Sequence, residues 1–401
     1  MLKKPRAILP AVVLMVLSLP AAADKYDREA EKLVRKYPLV DTHIDVPIRI
    51  HESWEDVTEA TEKGEFDYPR AVQGGLNVPF MSIYTPATSE YDGSAYGMAN
   101  TLIDQVEAMV ARAPDKFAMA YSTADVESQF KSGQISLALG MENGAPIQGS
   151  LDKLRHFHKR GIRYVTLAHS DSNHISDSSY DKVRLWQGLS PFGREVVAEM
   201  NRLGMMVDIS HLSDKAAYEV LEVSKAPVIA SHSSARHFVT NEPVFERNMD
   251  DALIRTLAEN GGVIMINFGS GFLTTAANEW RNQFRPAMAA YAKRHGLKRD
   301  DPAMKAFIDD YRCLHPYPYA TVSDVADHID HVVEIAGISA VGIGSDYDGV
   351  GDTLPVGLKD VSTYPNLVAE LLRRGYDEDA IGKILGGNLM RVWKAVEGAA
   401  G

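Results

Sequence analysis

Hydrophobic positions along this chain alternate between two rhythms. Short runs that are apolar at nearly every position recur at Leu39–Asp45, Leu76–Tyr84, Ile135–Met141, Tyr164–His169, Met206–Ser210, Pro227–Ser231, Gly262–Phe268 and Ala340–Ser345. Longer stretches lie between them, with apolar residues returning every three or four positions, as at Ala99–Ala113, Leu151–Arg160, Pro191–Leu203, Ser213–Val223 and Asp250–Glu259. A run without polar alternation suits a strand covered on both faces, as in a parallel sheet, and the longer period suits the helices that cover it. Ser190 followed by Pro191 is a helix-start signal, because the hydroxyl caps a free N–H and proline tolerates the first helical position. Eight such strand-helix units predict an α/β fold: a closed (β/α)8 barrel of one domain, rather than an open doubly wound sheet.

Two regions depart from this rhythm. Gly271 to Val322 holds a polar helical segment, a second near Pro302–Arg312, and the run His315-Pro-Tyr-Pro-Tyr-Ala320, which predicts an elaborated loop between strands seven and eight, placed to act as a lid. Asp24–Val40 and Tyr376–Val396 are expected to be flanking helices. At the amino end, Lys3, Lys4 and Arg6 precede an apolar run to Leu19 and then Ala21-Ala22-Ala23, the layout of a cleaved secretory signal. About 13 apolar residues reach only about 20 Å as a helix, short of the roughly 30 Å hydrocarbon core. The expected division is therefore a signal peptide at 1–23 and a barrel at 24–401, exported to a bacterial periplasm.

Composition narrows the partners. Losing the three signal cations takes the formal charge from −12 to −15. Nucleic acid and stable membrane association are not expected of so acidic a chain. A homodimer is compatible with it. The only cysteine is Cys313, so no intrachain disulfide is available, and the core must supply the stability. Val396–Gly401 offers no hydrophobic tail for a lipid anchor.

The polar residues at the strand ends carry the chemistry. His43 and Asp45 end the first run and His169 the fourth, while Glu142, His211, His232 and Asp346 follow the third, fifth, sixth and eighth. In a parallel barrel all these ends open at one face, where the active site lies. Taken singly each has an ordinary explanation: a chance His-x-Asp, a solvated glutamate, a satisfied core histidine. Taken together, two imidazoles, a His-x-Asp pair and a lone glutamate form a borderline ligand set suited to zinc, with no thiolate for a structural site. Glu142 is suited to bridge two ions that share a hydroxide, whose pKa two close metals would lower. His156, His158 and His295 are expected to be solvated, and His328 and His331 to line a helix face.

These segments resemble the membrane (renal) dipeptidase family of the amidohydrolase superfamily over nearly the whole mature chain. The resemblance rests on Val40-Asp-Thr-His-Ile-Asp45, Gly140-Met-Glu-Asn143, Tyr164–Ser170, Asp208-Ile-Ser-His211, Ser231–Ala235, Arg247-Asn248 and Gly342–Gly349. It implies zinc-dependent hydrolysis of dipeptides, with one ion on His43 and Asp45, a second on His211 and His232, and Glu142 bridging. It further implies that His169 donates to the substrate carbonyl, that Asp346 moves the proton, and that Arg247 pairs with the substrate carboxylate. It extends to tolerance of a D-residue at the carboxyl side. A surface ion pair of Arg247 with Asp250 or Asp251 is the competing reading. Phe272 stands where relatives carry a pocket tyrosine. Two other functions stay open: an amidohydrolase acting on lactams, cyclic amides or phosphoesters, and a non-catalytic periplasmic zinc or peptide binder.

Overall fold

The computed structural model describes residues 24–241, 245–298 and 301–401, so the expected signal segment 1–23 lies outside the described residues. Nine strands are present among the described residues: β1 Leu39–Ile44, β2 Leu76–Tyr84, β3 Phe117–Met119, β4 Ile135–Glu142, β5 Ile162–Thr166, β6 Met206–Asp208, β7 Ile229–Ser233, β8 Val263–Ile266 and β9 Val341–Ile343. Eight of them run β2-β1-β9-β8-β7-β6-β5-β4, and a β2–β4 pairing closes the ring, so the expected (β/α)8 barrel is observed. The ninth, β3, lies outside the ring and pairs only with β4, Phe117 facing Ile135. Three residues are too short for any periodicity to show, and β3 was not expected.

Strand register explains how an apolar barrel acquires a polar mouth. Ala138, Tyr164 and Met206 belong to an inner cluster, while their neighbours Leu137, Leu139, Val165 and Val207 belong to the outer layer under the helices. With a side-chain period of two, Glu142, Thr166 and Asp208 continue the inner rows. Pairing sets these three at one level, Glu142 opposite Thr166 and Thr166 opposite Asp208. Beneath them, Trp393 and Val392 of the helix Asn388–Gly398 join the inner cluster, with Trp393 against Phe80 at a ring separation of 5.3 Å.

The expected long loop is largely helical. Ser270–Leu273, Thr275–His295 and Pro302–Leu314 precede the helix Val322–Ala336 that leads to β9. Trp280 and Phe284 of one helix meet Tyr311 of the next at 5.6 and 5.2 Å, so aromatic packing holds the two as a hairpin. The flanking helices are shorter than expected. The first spans Lys25–Lys36 and leaves Val40 to β1, and the last region divides into Glu378–Gly382, a π-type turn at Lys383–Gly387 and Asn388–Gly398. Ser190 caps as expected, its hydroxyl accepting from the Gly193 N–H at 2.8 Å. Among the described residues no helix is long and apolar enough to cross a membrane.

Candidate metal centre

Glu142, the last residue of β4, stands at the middle of a histidine cluster, and its two oxygens face different partners. Oε2 lies 3.4 Å from His43 Nε2. Oε1 lies 3.2 Å from His211 Nε2, 3.4 Å from His232 Nε2 and 3.3 Å from His169 Nε2. Asp45 Oδ2 is 3.6 Å from His43 Nε2 on the other side. Asp45 sits at the start of the helix Val46–Glu52 rather than within the strand, and its own N–H is held by Tyr347 O at 2.8 Å.

Outer partners decide which imidazole nitrogen faces the centre. Tyr164 Oη donates to the Thr42 carbonyl at 2.9 Å, so it accepts from His43 Nδ1 at 2.9 Å, and the His43 lone pair points inward from Nε2. Ser231 Oγ donates to Asp208 Oδ2 at 2.6 Å and accepts from His232 Nδ1 at 2.7 Å, with the same result for His232. Asp208 also holds the Ser231 N–H and the Thr166 hydroxyl. Fixing the tautomer of a ligating histidine is the usual work of such partners.

Electrostatics prepare the same site. Burial pushes the carboxyl of Glu142 up, but His43 and His169, with hydrogen bonds from His169 and His211, outweigh it and hold the group ionised. Burial, then Arg247 and neighbouring histidines, hold His211 and His232 well below the ordinary imidazole value and therefore neutral. Burial works against a charged His43, yet Tyr164, Glu142 and Asp45 prevail and attract a proton there. That attraction marks where a cation is favoured. A metal requires neutral imidazoles and ionised carboxylates of its ligands, so His211, His232 and Glu142 are in the required state, and an ion binding at His43 takes the place of a proton there.

Whether the residues fit metal ions is answered by their unpartnered atoms. His43 Nε2 and Asp45 Oδ1 are fully buried without a hydrogen-bond partner, and His211 Nε2 and His232 Nε2 approach to 2.8 Å. Converging buried lone pairs are costly unless a cation lies between them. At this centre three groups of residues have ligand atoms within 4.8 Å of one another: His43, Glu142 and His232; Glu142, His169 and His211; His43, Asp45 and Asp346. The donor set fits borderline divalent metal ions. The first group shares Glu142 with the second and His43 with the third, and none of the three contains His211 and His232 together.

Asp346 follows β9. Its N–H is held by His43 O at 3.0 Å, and its Oδ2 accepts from Asn267 Nδ2 at 2.7 Å. Burial pushes its carboxyl up to about 8; Asp45 and Glu142 reinforce the shift while His43 and Arg247 oppose it. Asn143, His211, Asp346 and Asp348 take positive φ values of 80°, 69°, 65° and 65°. Such backbone costs a non-glycine residue about 1–3 kcal/mol and gathers at functional sites. Gly349 gives the two aspartates room, since a Cβ there would meet Asp45 Oδ2 at 2.1 Å and Asp346 Oδ1 at 2.3 Å.

Arg247 is not on the surface. It is 2% exposed, bonds Ser233 Oγ at 3.0 Å and His232 O at 2.7 Å, and lies 3.1 Å from His211 Nε2. The surface pairing with Asp250 or Asp251 is therefore replaced: Arg236 takes Asp250 and His331 takes Asp251. Among the described residues no carboxylate pairs with Arg247, and its Nε is buried without a partner. Phe272 lies under the guanidinium at 5.2 Å, so this position offers a cation–π contact.

The other histidines divide. His295 is exposed, His158 is half-buried, and His156 bonds Asn100 Oδ1 at 2.9 Å. His328 is completely buried, accepting from the Ala235 N–H at 3.0 Å while its Nε2 meets Leu273 O at 3.0 Å. Sequence reasoning assigned no role to Tyr164, Ser231, Asp208 or Asn267. Tyr164 and Asp208 sit on the inward-facing rows of their strands, which is the signal that was there to read.

The comparisons with known proteins agree. A family model described as Membrane dipeptidase (Peptidase family M19) matches residues 27–401. Dipeptidase 3 of Mus musculus is 33% identical over 92% of this chain and 66% of its own length, so the chain spans just under two thirds of that relative. The probable dipeptidase PvdM from Pseudomonas aeruginosa superposes with a TM-score of 0.79 at 27% identity, covering 94% of this chain and 99% of the other. A metallopeptidase from Rhodobacter sphaeroides, solved with a phosphinate mimic of the dipeptide L-Ala-D-Ala, gives a TM-score of 0.73 at 25% identity, covering 90% and 99%.

Proposed function

The chain belongs to the membrane dipeptidase family of peptide hydrolases, and on that premise we propose that it cleaves dipeptides bearing a free carboxyl end with two zinc ions held by His43, Asp45, Glu142, His211 and His232. The observation that carries the substrate class is Arg247. A buried guanidinium with no carboxylate partner among the described residues, beside the proposed ligands, calls for an anionic group from the substrate.

Zinc ions held by His43, Asp45, Glu142, His211 and His232 would supply Lewis-acid chemistry, making a water more acidic and the scissile carbonyl more electrophilic. The chain's own residues do the rest. Arg247 receives the terminal carboxylate through its planar fork and so sets the distance from that end of the substrate to Glu142. His169, with 18% of its side chain open to solvent, donates to the carbonyl oxygen and to the negative charge that develops on it. Asp346, whose raised pKa makes its ionised form a stronger base and which Asn267 orients, accepts the proton of the attacking water as a carboxylate and delivers it to the leaving amine.

The mimic bound by the Rhodobacter sphaeroides enzyme extends the proposal to substrates with a C-terminal D-residue. Turnover of L,D against L,L dipeptides decides that point. The basic and apolar start of the chain supports export to a periplasm, which mature protein beginning at Asp24 in that fraction would establish.

The direct test compares a dipeptide with its C-terminal amide. Loss of a charge-assisted contact of about 2 kcal/mol lowers kcat/KM for the amide about 30-fold. Equal turnover of acid and amide would favour neutral lactam or cyclic amide substrates. Binding without cleavage would favour the binder, and zinc-refilled protein holding fewer than two tight ions per chain would remove the metal pair.

A further inference from the structure

A second group of metal-ligand side chains lies outside the centre just described. His237 follows β7 in the short turn Arg236–Phe238, Asp251 opens the helix Asp251–Glu259, and His331 lies on the helix Val322–Ala336. Their ligand atoms all lie within 4.8 Å of one another. The two imidazoles stack with ring centroids 4.3 Å apart and planes 24° from parallel, and His331 Nε2 is 2.8 Å from Asp251 Oδ1. Nothing in the proposed reaction uses them.

We propose that His237, Asp251 and His331 form an independent site for one borderline divalent ion of the zinc, nickel or copper type. Two imidazole nitrogens and one carboxylate oxygen match such ions better than magnesium or calcium, which take oxygen ligands. Two ligands about 2.0–2.1 Å from a tetrahedral ion stand about 3.3 Å apart. Reaching that spacing requires the group to contract, and the exposed His237 can pivot to do so. Asp251 is already oriented, because its other oxygen faces Arg255 at 4.0 Å while Oδ1 faces His331. His237 and Asp251 also line an open cavity of about 510 Å³, which leaves room for solvent to complete the coordination. An ion there ties the segment after β7 to the helices leading into β8 and β9, outside the barrel wall.

The test uses the zinc-filled full-length protein, titrated calorimetrically with further Zn2+. Wild type is expected to take one additional ion per chain. His237→Ala and His331→Ala are expected to weaken that step at least about 10-fold, the lower end of the loss caused by disturbing a mere outer partner, with dipeptide turnover unchanged. Cu2+ placed in the same step should show splitting from two imidazole nitrogens in its EPR spectrum, and splitting from fewer in either variant. His237 is exposed, so its replacement keeps the test valid should His331→Ala fail to fold. Absence of an additional ion in wild type, or the same affinity in wild type and in folded His237→Ala, overturns the proposal. Loss of the ion in Cys313→Ser but not in the histidine variants also overturns it.

Discussion

His232 and His237 stand five positions apart in the chain and end in opposite environments. His232 is buried at 1% exposure, its Nδ1 is tied through Ser231 to Asp208, and burial with nearby cations holds it neutral. His237 is exposed and stacks on His331. The residue types are alike, and the surroundings differ. Inside the barrel mouth Tyr164 and Ser231 orient His43 and His232 before any ion arrives, whereas outside the wall an ion has to organise its own ligands. The inner cluster is thus built for tight, reproducible geometry close to a reacting bond. The outer one suits weaker, exchangeable binding.

The largest expected effect belongs to the proposed proton carrier, Asp346. Asp346→Asn should lower kcat by about 10²- to 10⁴-fold, the range for loss of a positioned acid-base group, while metal content stays at the wild-type level by elemental analysis. Loss of metal together with rate would make Asp346 a ligand instead. Arg247→Ala comes next. It should raise KM for dipeptides and cut kcat/KM by about 30-fold or more, with little change for the C-terminal amide; equal losses on both substrates would mean that Arg247 supports His211 and His232 rather than the substrate.

Tyr164→Phe sharpens the comparison at the level of outer partners. Without the acceptor for His43 Nδ1, the affinity for one ion should fall about 10- to 100-fold, seen as activity lost at lower chelator concentration. An unchanged chelator titration would show that burial alone fixes His43.

The smallest effect on turnover is expected at His328, which is buried like the inner histidines and lies apart from their cluster. Burial lowers its pKa to about 4, while an unfolded histidine titrates near 6.5. The unfolded chain therefore binds the extra proton between these values. Stability is full above about pH 6.5 and declines as the pH falls towards 4, by about 3 kcal/mol in all. Chemical denaturation across that range should show the decline, and His328→Gln should flatten it without altering kcat. A wild-type curve with no slope there would mean that His328 is charged when folded.

Much of this was written locally. The apolar runs announced all eight barrel strands, and the residues that follow them named the ligand candidates, because a strand's period and a barrel's single open face are consequences of short-range pattern. His328 and Arg247 show where that reading stops. A helix-face position for His328, and for Arg247 the competing surface ion pair, were both reasonable from neighbouring residues, and both side chains are buried, because burial is decided by segments distant in the chain.

The amino-acid sequence by itself determined the alternation of strand and helix, the absence of an intrachain disulfide, and which chemical groups stand at the barrel mouth. Tertiary structure alone decided that the two oxygens of Glu142 face different histidines, that Tyr164 and Ser231 turn Nε2 of His43 and His232 inward, and that Arg247 lies buried without a carboxylate among the described residues. The reason is range. Backbone periodicity is set by adjacent residues, whereas the partner that orients His43 lies 121 positions away and the one that orients Asp346 lies 79 away, so they meet only once the strands that carry them have assembled in the barrel.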